Sequence, residues 1–218
     1  MVFNITECVD FHHGKRIVIT ILVCGHDVVI IMHKEGDALL IQQPVYYPFR
    51  EVIEDNGRIF VNNQLHYEDG KYTIDFEDFE KKIVDNNVKV FILCNPHNPV
   101  GRVWTKEELE KMGDICLKHN VVIMDDEIHC DFTYPGFKFT SFMTLDEKYH
   151  NSLVLYTSPS KTFNVAGLQP ANIIIKNPEL RAAYRKANAA AGYSQGSIMG
   201  QVAVKSVYTK GDEWVNEL

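Results

Sequence analysis

Lys161 sits in the turn Ser158-Pro159-Ser160-Lys161-Thr162-Phe163-Asn164, directly after the apolar run at residues 152–157. An amine at the end of a buried strand can attack a carbonyl to form an imine and, once deprotonated, can take up a proton. Taken singly, such a lysine is ordinarily a charge that has reached the surface at a strand end. Its company argues otherwise. Asn95-Pro96-His97-Asn98-Pro99-Val100-Gly101-Arg102 follows a second apolar run, and Asp126-Glu127-Ile128-His129-Cys130-Asp131 follows a third. Tyr46 and Tyr47 stand between Pro44 and Pro48 after a fourth. A carboxylate beside a lysine is suited to hold a cation or a protonated ring nitrogen. The tyrosine pair reads either as surface aromatics or as a stacking face for a flat ligand. The proline-rich stretch reads either as a rigid turn or as a loop fixed so that an asparagine amide points into a site.

The acidic cluster contains metal-ligand types. Adjacent residues on an extended segment point to opposite faces, however, so one ion cannot collect them all. No second His/Cys pair at ligand spacing supports a metal site.

The elements that must position these residues follow from the pattern. Residues 17–23, 38–42, 58–61, 88–94, 121–125, 152–157 and 172–176 are short and apolar, several of them β-branched on both faces, as strands covered from both sides are. Between them, Phe76, Phe79 and Ile83 recur at helical spacing behind first-turn acids. Thr105-Lys106-Glu107-Glu108 is a capping box that opens a helix to about residue 120. Residues 26–34 and 48–56 read as further helices. Asn177-Pro178-Glu179 starts another by cap, proline and acid, and residues 182–218 read as continuing helix. Strand–helix alternation with doubly buried strands predicts an α/β fold with a mostly parallel sheet. Ligands in such sheets bind outside the carboxyl ends of the strands, where all four polar clusters fall.

Composition sets bounds. The chain has 218 residues, 22 Lys+Arg against 29 Asp+Glu, and a formal net charge of -7 with no basic run, which argues against nucleic acid as a partner. No apolar stretch reaches the roughly 18 residues of a membrane span, and no basic-then-apolar-then-small signal-peptide pattern is expected from these residues. The five cysteines form no CxxC pair, which places the protein in the cytoplasm.

A lysine for imine formation, an acid for a ring nitrogen, an aromatic face and nearby hydroxyls together describe a pyridoxal 5'-phosphate (PLP) site. At this point the motifs resemble a family. Asn95-Pro96-His97-Asn98-Pro99-Val100-Gly101-Arg102, Asp126-Glu127-Ile128-His129 and the stretch from Ser158 to Gln169, in this order, are similar to those of fold-type-I PLP enzymes. Within the class I/II aminotransferase superfamily they look most like cystathionine β-lyase-type carbon–sulfur lyases, and Pro44-Val45-Tyr46-Tyr47-Pro48-Phe49 fits that subgroup.

The resemblance implies a three-layer sandwich around a seven-stranded sheet whose last strand is antiparallel. It implies that Lys161 forms the internal aldimine, Asp126 pairs with the pyridinium nitrogen, and Asn98 hydrogen-bonds the phenolic oxygen. His129 lies where relatives place a tyrosine for that oxygen. Tyr46 stacks on the ring, Tyr47 faces the substrate, and Ser158 and Ser160 reach the phosphate. Gln169 stands where the aminotransferases carry a phosphate-binding arginine, a departure that favours the lyase subgroup. The phosphate-binding turn after the first strand falls on residues 21–27, which read as shortened and without the expected small residues.

The expected organisation is a remnant N-terminal segment at 1–15, a PLP-binding large domain at 16–190, and at 191–218 the start of a helix leading to a missing small domain. The implied activity is β-elimination from cystathionine or a related cysteine thioether, a small-molecule amino-acid substrate, in a homodimer. The alternatives are an aminotransferase and a non-catalytic fragment or regulatory module.

Overall fold

The computed structural model describes residues 2–5, 35–190 and 197–218, with side chains from residue 35 onward except at residues 187 and 190. The strand expected at residues 17–23, the helix at 26–34 and the turn at 21–27 lie outside the described residues.

The described residues form nine strands: β1 (Val2–Ile5), β2 (Ala38–Ile41), β3 (Ile59–Asn62), β4 (His66–Glu68), β5 (Lys71–Thr73), β6 (Val88–Cys94), β7 (Val122–Asp126), β8 (Leu153–Thr157) and β9 (Ala171–Ile174). Six α-helices accompany them: α1 (Pro48–Asp55), α2 (Phe76–Asp85), α3 (Lys106–Lys118), α4 (Pro178–Ala190), α5 (Ile198–Lys210) and α6 (Asp212–Glu217). Seven strands form one sheet in the order β1-β9-β8-β7-β6-β2-β3. From β3 through β8 every pairing is parallel, and β9 runs antiparallel to β8, as expected for the last strand. The described sheet reaches seven strands through a member the sequence reading did not include, the antiparallel edge strand β1 against β9.

Alternation along each strand builds two cores. Leu39, Ile41, Val90, Ile92, Met124 and Val154 pack on one face with Val52 and Ile53 of α1 and Tyr184 of α4. Leu40, Phe91, Leu93, Ile123 and Leu153 pack on the other with Phe79 and Ile83 of α2 and Leu109, Met112 and Cys116 of α3. The result is the three-layer sandwich. Asp75 caps α2 through Glu77 and Asp78, and the Thr105–Glu108 capping box forms as its residues require.

Two local readings need correction. Residues 182–218 are not one helix. Ser197 caps a separate helix α5 by accepting from the Gly200 N–H at 3.2 Å, and Gly211 ends it. A Cβ at Gly211 would lie 2.3 Å from the Phe163 ring, so the chain can approach the lysine turn closely there only without a side chain. The hairpin β4–β5 went unassigned, although Asp69-Gly70 at its tip, with φ 49° and 78°, is a two-residue turn signal. Among the described residues no helix is long and apolar enough to cross a membrane, and no group of three metal-ligating side chains could hold an ion.

Candidate active site

Register brings the clusters level. Cys94 at the end of β6 pairs with Asp126 at the end of β7, and Asp126 pairs with Tyr156 near the end of β8. The chain therefore leaves the sheet at Asn95, Glu127 and Ser158 along one carboxyl edge, and the turn after β2 joins them from the neighbouring strand. Strand alternation sends Met124 into the core beneath α1 and α4, so Asp126, two residues on, lies on the same side at the edge.

The Ile128 N–H donates to Asp126 Oδ1 at 3.1 Å. Burial of the carboxyl at this edge pushes its pKa up to about 6, a rise that the Ile128 hydrogen bond and the Lys161 charge partly offset. The Tyr46 hydroxyl is raised by burial first and then by Tyr47 and Asp126. The His129 imidazole is lowered by burial and by Lys161. Tyr46, Asp126, His129 and Lys161 thus share one electrostatic neighbourhood. Lys161 is exposed, so its amine is accessible to a ligand. Tyr46 is half-buried, edge-on to Phe49 at 5.8 Å between ring centroids.

Asn98 stands on the β6 loop, its backbone N–H donating to Cys94 Sγ at 3.4 Å. Its side-chain amide makes no hydrogen bond among the described residues. Tyr47 caps α1 and is 70% exposed, its ring 5.7 Å from that of Tyr46, on the outer rim rather than within the cluster.

The two serines of the lysine turn differ. Ser158 donates its hydroxyl to the Pro170 carbonyl and accepts from the Ser160 N–H at 3.1 Å, so its hydroxyl ties the turn together. Ser160 is 1% exposed, and its Oγ has no hydrogen-bond partner among the described residues. A buried hydroxyl without a partner is costly unless a ligand completes it. It suits an anionic oxygen, and the desolvated Asp126 suits a cationic nitrogen. The residues present therefore fit a flat cofactor with a ring nitrogen at one end and a phosphate at the other.

Several contributors were not legible beforehand. Thr162, beside the lysine, donates to Asp131 Oδ2 at 2.7 Å, and the Trp214 indole N–H donates to the Thr162 carbonyl at 2.7 Å. These contacts span 31 and 52 residues, and no local pattern announces them. Asp125 and Glu127 flank Asp126 on the opposite face, both buried. Burial, and each carboxyl's effect on its neighbour, push Asp125 well above the usual carboxylate range, and burial raises Glu127, which accepts the Phe142 N–H at 2.9 Å. The signal was there as three consecutive acids on a buried strand.

A family model for aminotransferase class I and II matches residues 24–218. The chain is similar to cystathionine beta-lyase PatB of Bacillus subtilis (strain 168), with 44% identity over 183 residues, covering 84% of this chain and 47% of the relative. It is similar to protein MalY of Escherichia coli (strain K12), with 33% identity over 187 residues, covering 84% of this chain and 46% of the relative. The chain spans about half the length of the curated relatives it matches. Among solved structures, that of cystalysin from Treponema denticola, which contains a pyridoxal 5'-phosphate cofactor, superposes with a TM-score of 0.90 at 36% identity. It covers 99% of this chain and 52% of that one. A PLP-bound C-S lyase from Staphylococcus hominis, complexed with L-cycloserine, superposes with a TM-score of 0.84 at 31% identity, covering 99% of this chain and 51% of that one.

Proposed function

Because the chain belongs to the aminotransferase class I and II family, we propose that it binds pyridoxal 5'-phosphate through Lys161 and serves carbon–sulfur β-elimination from a cysteine thioether such as cystathionine. The observation that carries this reading is the grouping of Lys161, Asp126, Tyr46 and His129 at one strand edge, with the unpartnered Ser160 hydroxyl beside them. The likeness to named cystathionine β-lyases and C-S lyases supports the choice of reaction.

The cofactor, when bound, supplies an electrophilic carbonyl and a cationic ring that accepts the electron pair of a substrate Cα–H bond. The residues of this chain do the rest. Lys161 Nζ would hold the cofactor and, once free, would take the proton from the substrate Cα as general base. Asp126 would hold the proton on the ring nitrogen, and burial keeps the field of that carboxylate strong. Tyr46 would cover the ring face, and Asn98 and His129 would serve the ring oxygen. Ser160 would donate to the phosphate, and Ser158 holds the turn that carries Ser160. The Cβ–S bond breaks with its electron pair going to sulfur, which leaves as a thiol after protonation. Water converts the three-carbon remainder to pyruvate and ammonia. Tyr47, on the rim, faces the incoming substrate. The same reading takes the protein as a homodimer, supported by the family likeness alone, and as cytoplasmic, supported by cysteines without a CxxC pair.

The test is pyruvate release from cystathionine with no oxo-acid added. Pyruvate formed in step with thiol supports the lyase. Turnover only when an oxo-acid acceptor is present would instead assign a transaminase.

A further inference from the structure

His97 is buried, carries a titratable ring, and has no part in the chemistry above. It follows β6 on the loop that carries Asn98. Its backbone closes that loop, with the His97 N–H donating to the Arg102 carbonyl at 2.7 Å and the Gly101 N–H donating back to the His97 carbonyl at 2.9 Å. Its side chain leaves the loop altogether. Nε2 lies 3.0 Å from the carbonyl oxygen of Pro44, two residues before Tyr46. A carbonyl can only accept, so Nε2 carries the hydrogen. Burial holds the imidazole pKa down to about 4, so the ring is neutral through the physiological range and donates as a neutral group.

The ring has little freedom. It meets Trp104 edge to face at 5.3 Å and 81°. Trp104 is fully buried and fixed by its indole N–H to the Cys94 carbonyl at 3.0 Å. The Arg102 guanidinium covers the Trp104 ring at 4.6 Å and forks onto Glu108, with Nη2 2.8 Å from Oε2. On its far side the Pro44 segment is held to β3 and the residues after it, where the Gln43 N–H donates to Asn62 Oδ1 at 3.0 Å and the Leu65 N–H donates to the Gln43 carbonyl at 2.8 Å. If filling space were the whole task, an apolar ring would suffice. A buried imidazole aimed at a backbone carbonyl on another strand's loop does something further: it fixes one loop against the other.

We propose that His97 is a positioning residue, a staple that sets the spacing between Tyr46 on the β2 loop and Asn98 on the β6 loop, and hence the width of the slot that receives the cofactor ring. The proposal rests on the PLP reading for its functional half, while the staple itself exists in the ligand-free protein. The two can therefore fail separately.

The experiment compares wild type with His97→Phe, which keeps the ring and loses the donor, and His97→Gln, whose amide can again donate to Pro44. Hydrogen exchange of the ligand-free proteins is followed in the segments 43–49 and 97–102. PLP titration is followed by the visible absorbance band and by the pH midpoint of that band. Expected are faster exchange in both segments for His97→Phe, a PLP dissociation constant raised about tenfold, and a band midpoint moved to higher pH as the ring oxygen loses the Asn98 donor. His97→Gln restores all three toward wild type. Unchanged exchange in His97→Phe overturns the staple. Faster exchange with affinity and midpoint unchanged in a wild type that binds PLP overturns the positioning role. So does a loss in His97→Phe that His97→Gln does not recover. A wild type that takes up no PLP defeats the functional reading and leaves the exchange comparison to decide the staple. If His97→Phe fails to fold, the same readings are taken on His97→Asn, which is too short to reach Pro44 and must show the same loosening.

Discussion

Lys161 owes its proposed role to its neighbours, and its variants test that dependence directly. Lys161→Ala removes the nucleophile from an exposed position. It is expected to abolish both the visible band of the bound cofactor and thiol release while shifting the melting temperature little. Loss of fold together with activity would mark a structural lysine. Asp126 carries a pH signature. Its folded pKa, raised to about 6 by burial, lies above the unfolded value near 3.9, so the ionised carboxylate is disfavoured on folding. That cost is absent below the unfolded value, grows as pH rises, and is complete above about pH 6. Asp126→Asn should therefore stabilise the ligand-free protein by about 1–2 kcal/mol at pH 8, after allowance for solvent screening at a partly exposed edge, and hardly at pH 4. Thermal melts at the two pH values check this. The same variant should lose most turnover, because a neutral amide does not hold a proton on the ring nitrogen. The neighbouring Asp125 is raised for the same reason, by burial, and by Glu127. Asp125→Asn should show the same pH trend in stability but keep its turnover, since that side chain lies on the opposite face of the strand.

At the level of elements, what could be read beforehand was whatever local chemistry determines. Thr105 and Glu108 form a reciprocal cap on α3, and Thr105→Ala should cost about 1 kcal/mol in a denaturant melt. The apolar strands β2, β6, β7 and β8 fell where their residues placed them, and with parallel pairing that was enough to gather Tyr46, Asn98, Asp126 and Lys161 at one edge. The misreadings have physical reasons. Residues 198–210 are apolar enough to continue a helical pattern, but the start at Ser197 and the end at Gly211 depend on a cap and on close approach to Phe163. The edge strand Val2–Ile5 is defined by β9, not by its own four residues. Packing was equally invisible. Gly113 lies in the interior of α3, where a Cβ would lie 2.6 Å from the Tyr149 ring and 3.0 Å from Phe142. Gly113→Ala should therefore destabilise by about 1–3 kcal/mol, despite the better helix propensity of alanine. A stabilised variant would show that α3 can move away from the Phe142–Tyr149 pair.

For the whole molecule, the account joins a sheet built from both faces to a single ligand edge. The carboxyl ends of four parallel strands position the site, while the contacts of Trp214 and Gly211 with the lysine turn bring the C-terminal helices to it. A ligand bound across these elements must stabilise them together. At a PLP concentration of about 100 times its dissociation constant, stability should rise by about 2.7 kcal/mol, read as a higher melting temperature that Lys161→Ala lacks. The central claim is more specific than stabilisation: one lysine among many makes the covalent attachment. Incubating the protein with PLP, reducing it with borohydride, and mapping the labelled peptide by mass spectrometry tests this most directly. The account predicts one reduced phosphopyridoxyl group on Lys161, with the other lysines unlabelled. An unlabelled Lys161, or label spread over surface lysines in proportion to their exposure, would contradict it.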